Sequence, residues 1–560
     1  MRSCRHCRWL PIVAGLLCGS ALAGPSAAAA VDGVESPIEA RFPAPVIDVV
    51  TTPGLQPGRA SFTSNDELEA SLRALAARSG GPQLIEAGRS QRGTALLALH
   101  FGPGEAGRPT ALLIGQQHGD EPAGAEALLA LAAQLAGGAE TELLRRIDIV
   151  LLPRANPDGA ADAVRNTADD LDLNRDHLLL RTPEARAIAA LTARFAPLLV
   201  VDLHEYRVTP RFRQKFGAVE RADLLLQTAT TANLQPAVRA MAETGFRQPL
   251  VRALAQAGFS SELYHVDALD PDDLRLAMGT VAPDTLRNVQ GLRHAVSFLL
   301  ESRSGGESAS GGPPVTRRHL QRRVQSQLAA LRSLLHSAAD RAEALIAMRA
   351  QADADVTAAA CKGRVLVLAG RTLQRRDLTM IDPTTGADRS VKVDWLAAEP
   401  LRPLIERSRP CGYWLEAGAQ VVVAQLRRLG LRVDSLPAAQ TLPAERWQER
   451  FEIGNRSGLR LVQATTVSAE LQAAAGSFRV PLEQPLANLA VAALEPDTPF
   501  SDYAHRLLPG LSSTARLMAS PPAASAAFDS ALVPARSAEQ RAEHAADQLA
   551  PGGRADAAHR

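Results

Sequence analysis

The chain has 560 residues, too many for a single hydrophobic core, so two or three domains are expected. Hydrophobic residues make up 46%, enough to fill a large interior. Lys+Arg (61) nearly balances Asp+Glu (60), which argues against a nucleic-acid partner or an anionic membrane surface.

The first segment reads as an export signal. Arg2, Arg5 and Arg8 precede an apolar stretch from Leu10 to Ala23, and Ala21-Leu22-Ala23 is a small-x-small cleavage pattern. The signal peptide is placed at 1–23, with alternative cleavage near residue 30. An uncleaved anchor is the competing reading. The apolar stretch is too short to span a bilayer comfortably, and no later segment reaches ~18 uncharged apolar residues. An exported product, periplasmic or secreted, with no stable membrane span is expected. Three of the five cysteines, Cys4, Cys7 and Cys18, fall within the signal. The remaining pair, Cys361 and Cys411, suggests one disulfide in an oxidising compartment; two unpaired buried thiols are the alternative.

Residues 31–62 are rich in Pro, Gly and Ala and read as an irregular extension. Ser64-Asn65-Asp66-Glu67 is a capping-box pattern ahead of Leu68, Leu72 and Leu75, which predicts a helix over 65–79. Up to about 303, short apolar runs alternate with helical patterns: LLALHF (96–101), ALLIG (111–115), IDIVLLP (147–153), LLVVDL (198–203) and AVSFLL (295–300), with helices expected over 126–137 and 183–196. Continuous apolar strands with helical crossovers predict an α/β domain over 63–303, a mostly parallel mixed sheet flanked by helices. Residues 304–315 form a Gly/Ser/Pro linker. A helical segment is predicted over 316–353 from the period Leu320, Val324, Leu328, Leu331 and Leu335. A smaller α/β accessory domain of short strands and helices is expected over 357–512, then a disordered Ala/Ser/Pro/Arg-rich tail over 513–560.

Ligands of open parallel sheets sit at the carboxyl ends of the strands. The run ALLIG leads into His118-Gly119-Asp120-Glu121, LLVVDL ends at His204, and AVSFLL ends at Glu301. His118-x-x-Glu121 alone is weak, since a chain with 12 histidines produces such a pair by chance. His204 alone reads equally as a sheet-end histidine, and Glu301 as a solvated strand end. Together, two imidazoles and a carboxylate suit zinc and leave a coordination position open for water. Glu301 is then the best-placed base, and Arg165 and Arg175 lie in the polar stretch after the third strand.

These residues, with Asn156-Pro157-Asp158-Gly159 and Asp172-Leu173-Asn174-Arg175-Asp176, make residues 60–303 resemble the zinc carboxypeptidase family of carboxypeptidase A. The resemblance implies one Zn2+ held by His118, Glu121 and His204, a ligand set shared with carboxypeptidase A itself. It further implies Glu301 as the base that activates the water, Arg165 as the oxyanion-stabilising cation, and Asn174 with Arg175 as the grip on a substrate's C-terminal carboxylate. Asp172 resembles a carboxylate that orients His118. Residues 360–510 are similar to the C-terminal part of larger bacterial members, and Arg287 is a candidate substrate contact by the same likeness. The family's mobile tyrosine has no counterpart at Met278-Gly279-Thr280, and Tyr264 lies too far upstream to be equated with it. The expected function is a metallocarboxypeptidase acting on peptides with a free C-terminal carboxylate. The alternatives are a zinc amide deacylase of the desuccinylase or aspartoacylase type, a cell-wall peptide amidase, and a non-catalytic peptide- or glycan-binding protein.

Overall fold

Ser64 caps the first helix as its sequence predicts. Its hydroxyl accepts from the Glu67 backbone N–H at 3.3 Å, and the Glu67 carboxylate accepts from the Ser64 N–H at 2.8 Å. The helix runs Asn65–Ala76, three residues shorter than expected. The chain turns at Gly80, whose φ of 68° favours glycine. The computed structural model describes residues 37–519 except 44, 46–51, 60, 106, 268–272, 305–316 and 454–457. The signal segment, most of the linker and most of the tail lie outside the described residues.

Ten strands precede residue 304: β1 (Gln83–Arg89), β2 (Ala95–Phe101), β3 (Thr110–Gly115), β4 (Asp148–Leu152), β5 (Leu199–Tyr206), β6 (Leu224–Thr228), β7 (Ser261–Leu263), β8 (His265–Asp267), β9 (Arg275–Met278) and β10 (Val296–Arg303). Eight form one sheet in the order β1-β2-β4-β3-β5-β10-β6-β7. The central strands β4, β3, β5 and β10 are mutually parallel. β2 and β6 run antiparallel to their central neighbours, so the sheet is mixed around a parallel middle. β3, β4, β5 and β10 are buried along almost their whole length, which is why they read as continuous apolar runs.

Helices cover both faces. Ala123–Ala136 and Arg317–Asp340 pack on one side, around Leu128, Leu331 and Leu335. Pro183–Phe195 and Leu286–Leu292 pack on the other. The expected helical segment 316–353 is two helices, Arg317–Asp340 and Ala342–Ala358, broken at Arg341.

The C-terminal part shares both core and sheet with what precedes it. Val422, Leu426, Leu489 and Val491 join the cluster that holds Ile188 and Val289. β11 (Arg364–Ile381) and β12 (Asp388–Ser408) form a long hairpin, and β12 pairs in parallel with β9. These strands far exceed the short ones expected. Val393, Trp395 and Ala397 of β12 alternate inward against Leu276 and Met278 of β9 and its neighbours. A third sheet joins β13 (Gly412–Leu415), β14 (Asp434–Ser435), β15 (Gln440–Ile453), β16 (Leu461–Ala473), β17 (Phe478–Pro481) and β18 (Thr514–Leu517). β18 corrects the expected start of the disordered tail at 513. It is buried between β13 and β15, sealing Ala515 and Leu517 into the core. Cys361 and Cys411 are bonded, tying the end of the helix Ala342–Ala358 to the start of β13. Among the described residues, no helix is long and apolar enough to cross a membrane.

Candidate metal centre

The register of the parallel strands assembles the centre. Glu301 of β10 lies opposite His204 of β5, and Gly115 at the end of β3 lies opposite Leu203. The segment after β3 therefore emerges beside His204, carrying His118 and Glu121 with it. Gly119 is required by close approach, because a Cβ there would fall 2.0 Å from the Gly159 carbonyl carbon. The Asn156 side chain stitches the loops together. It donates to the carbonyls of Gln117 and Asn166 at 3.2 Å and accepts from the Gly159 N–H at 2.9 Å.

His118, Glu121 and His204 are all buried, and one ligand atom from each meets the others within 4.8 Å. His118 Nδ1 lies 2.9 Å from Glu121 Oε1, His204 Nδ1 lies 2.8 Å from Glu121 Oε2, and the two Nδ1 atoms are 3.0 Å apart. Two ligands about 2.0–2.1 Å from one tetrahedral zinc stand roughly 3.3 Å apart, so the donor set fits that ion. Glu121 is held below the usual carboxylate range. Burial alone would raise it, but His118 and His204 outweigh burial.

Each imidazole is oriented from behind by a carboxylate. His118 Nε2 is 3.1 Å from Asp172 Oδ1, and His204 Nε2 is 2.9 Å from Asp202 Oδ2. Asp202 also accepts from Gln117 Nε2 at 2.6 Å, and Gln117 Oε1 is 2.7 Å from His177 Nε2. Burial pulls His177 down to about 4, so the imidazole is neutral in this relay at pH 7. Asp202 went unassigned in the sequence, yet the period of two along β5 puts it on the same face as His204.

The other expected residues gather around the triad, with one correction. Arg165 Nη1 is 3.1 Å from His118 Nδ1 and 3.4 Å from Glu121 Oε1, while Nη2 reaches Asp172 Oδ2 at 3.0 Å. Arg175 is exposed and donates to the Asn174 carbonyl at 2.7 Å. Asn174, expected as a substrate contact, is buried behind His204 instead. Its amide donates to Asp202 Oδ2 and lies against His204 Nε2, each at 3.0 Å, and its carbonyl accepts from the Leu286 N–H at 2.9 Å. Both ends of that side chain are engaged by protein. Glu301 is 7% exposed, and burial pushes its carboxyl up to about 7, with His204 opposing the rise and Glu121 adding to it.

Sequence reading missed the inner support supplied by the helix Arg317–Asp340. Arg323 pairs with Glu205 at 2.6 Å, and Gln327 donates to the His204 carbonyl at 2.9 Å. No local pattern marks such contacts, which arise from packing across more than 100 residues of chain.

Two histidines and a glutamate converging at the carboxyl rim of a mixed α/β sheet make a candidate site for a hydrolytic metal ion. Residues 68–179 match the family model described as zinc carboxypeptidase. Carboxypeptidase 2 of Trichophyton tonsurans is 28% identical over 395 residues, covering 69% of this chain and 71% of that protein. Carboxypeptidase 2 of Trichophyton rubrum is 26% identical over 461 residues, covering 79% and 84%. Among solved structures, carboxypeptidase A of Helicoverpa armigera aligns with a TM-score of 0.39 at 17% identity, over 50% of this chain and 74% of that one. A metallo-carboxypeptidase of Burkholderia cenocepacia aligns with a TM-score of 0.37 at 18% identity, over 49% and 68%. The chain carries a zinc carboxypeptidase domain and is an enzyme of the metallocarboxypeptidase class.

Proposed function

We propose that the protein removes C-terminal residues from peptides using one zinc ion held by His118, Glu121 and His204. The meeting of two imidazole Nδ1 atoms and one carboxylate at 2.8–3.0 Å, one strand away from Glu301, carries this reading. The zinc ion, when bound, supplies a Lewis acid that acidifies water and polarises a carbonyl. Glu301 takes a proton from the attacking water and delivers it to the leaving amine, a task suited to a carboxyl tuned toward neutrality. Arg165, 3.4 Å from Glu121 Oε1, supplies the cation that stabilises the developing oxyanion. Arg175 offers a planar guanidinium to the terminal carboxylate of the substrate. Asp172, Asp202 and Asn174 hold the two imidazoles in position. The basic leader of the sequence and the Cys361–Cys411 bond support a place outside the reducing cytoplasm.

The test is hydrolysis of an N-blocked dipeptide with a free C-terminus. Chelation should abolish cleavage and zinc should restore it; cleavage that survives chelation would remove the metal from the mechanism. Amidating the C-terminus should sharply slow the reaction. Equal rates on both forms would point to an endo-acting amidase or a deacylase.

A further inference from the structure

Two guanidinium groups from separate segments of the chain donate to adjacent carbonyls, those of Thr280 and Gly279. Arg287, on the helix Leu286–Leu292, is 3% exposed and donates through Nη2 to the Thr280 carbonyl at 2.7 Å. Its buried Nε has no hydrogen-bond partner. Arg371, on β11, donates through Nε to the preceding carbonyl, that of Gly279, at 3.3 Å. A carbonyl satisfies one donor of the five that each guanidinium carries. Neither arginine has a carboxylate at ion-pair distance among the described residues. Other buried arginines divide: Arg322 pairs with Asp223 and Arg323 with Glu205, each at 2.6 Å, whereas Arg154, Arg303 and Arg409 bond to neutral acceptors. Two cations beside one another with no carboxylate, one of them with a buried unsatisfied Nε, make this corner receptive to an anion.

Tyr264 marks where that anion would sit. A Cβ on Gly279 would lie 2.8 Å from Tyr264 Cδ1 and 2.9 Å from Arg287 Nη2, with Gln227 Oε1 nearer still, so the Tyr264 ring and the Arg287 guanidinium both border the glycine. The helix of Arg287 reaches the metal centre: the Leu286 N–H donates to the Asn174 side-chain carbonyl at 2.9 Å, and the amide nitrogen of Asn174 lies 3.0 Å from His204 Nε2. Burial raises the phenol above its ordinary value, keeping it a proton donor. Burial lowers Arg287 to about 10, leaving it cationic at pH 7. The acids acting on Arg287 are Asp202, which is engaged by His204 and Gln117, and Asp284, which burial raises to about 6. Neither pairs with Arg287 or Arg371 at ion-pair distance among the described residues.

We propose that Arg287, Arg371 and Tyr264 receive a carboxylate on the side chain of the substrate's last residue, so that the enzyme prefers peptides ending in glutamate or aspartate. The inference rests on the carboxypeptidase reading, in which Arg175 takes the terminal carboxylate and leaves these groups for a second one. It also gives the C-terminal hairpin a task in substrate choice, since Arg371 belongs to β11.

The experiment assays the zinc-loaded full chain on N-blocked dipeptides ending in Glu, Gln, Leu and Lys. Gln is the neutral isostere of Glu, so the Glu:Gln ratio of kcat/KM reads the charge alone. A ratio of about tenfold or more is expected, since a site built for a polar partner penalises its neutral analogue strongly. R287M and R371M should each bring the ratio toward one, and R371K should keep part of it. Circular dichroism checks the fold of each variant, and half-buried Arg371 supplies the test if R287M does not fold. A native ratio near one, or a ratio unmoved in folded R371M, would overturn the inference while leaving the carboxypeptidase reading in place. Preference for the Lys peptide would overturn it in favour of Asp284 as the selector. Failure to cleave any of the four would overturn both.

Discussion

The side-chain amide of Gln327 donates to the backbone carbonyl of His204 at 2.9 Å, although 123 residues separate them. The same nitrogen reaches the Ser302 hydroxyl at 2.8 Å, beside Glu301. One turn earlier, Arg323 pairs with Glu205, whose other oxygen accepts from the Ala123 N–H at 2.7 Å. A single helix thus grips β5 and β10 beside His204 and Glu301. Gln327→Leu is expected to weaken zinc binding about tenfold, the low end for residues that support metal ligands. Competition with a chromogenic chelator measures this. Unchanged affinity would reduce the helix to a packing element.

Glu301→Gln should retain zinc and lose at least ~10²-fold in kcat. The base must be ionised, so activity falls as pH drops through its pKa. Burial places that value at about 7, and a cation on the neighbouring ligands moves it lower. The acid limb of kcat/KM is therefore expected at or below pH 7 and absent in the variant. Near-native turnover of Glu301→Gln would reassign the base.

The carboxylates behind the imidazoles are separable from the ligands. Asp202→Asn and Asp172→Asn keep the shape but remove the charge, and each should reduce zinc affinity by about 10–100-fold. Isothermal titration with zinc on the apo-protein reads the effect directly. A variant that binds as tightly as the native chain would show that its imidazole needs no carboxylate.

Asp502 provides a pH signature far from the centre. It is 0% exposed, and burial raises its carboxyl from the ordinary 3.8 to about 8. The folded chain holds that proton where the unfolded chain has lost it. Its contribution is full below about pH 4, shrinks as pH rises toward 8, and levels off above. Asp502→Asn should flatten the fall in urea midpoint between pH 4 and 8. An unchanged slope would show that other groups carry it.

The bond between Cys361 and Cys411 closes a loop 50 residues long. Replacing both cysteines by serine should cost about 2–4 kcal/mol of stability, mostly by loosening the unfolded chain. Denaturant unfolding under oxidising and reducing conditions checks this. Native protein that unfolds identically in both would show that the bond contributes nothing.

The sequence alone pointed to His118, Glu121, His204 and Glu301 and to the parallel strands that bring them together. Those features are local: an apolar run fixes a buried strand, and the residue at its carboxyl end goes to the rim. Asp202 was within reach of the same logic, two residues from His204 along one strand face. Tertiary structure alone decided that Asn174 turns inward behind His204, that Gln327 and Arg323 brace the ligand strand, and that Arg371 reaches Gly279 from a C-terminal hairpin. Each depends on side chains brought together from distant segments by packing. Periodicity fixes which face of an element is buried but carries no information on which partner that face will meet.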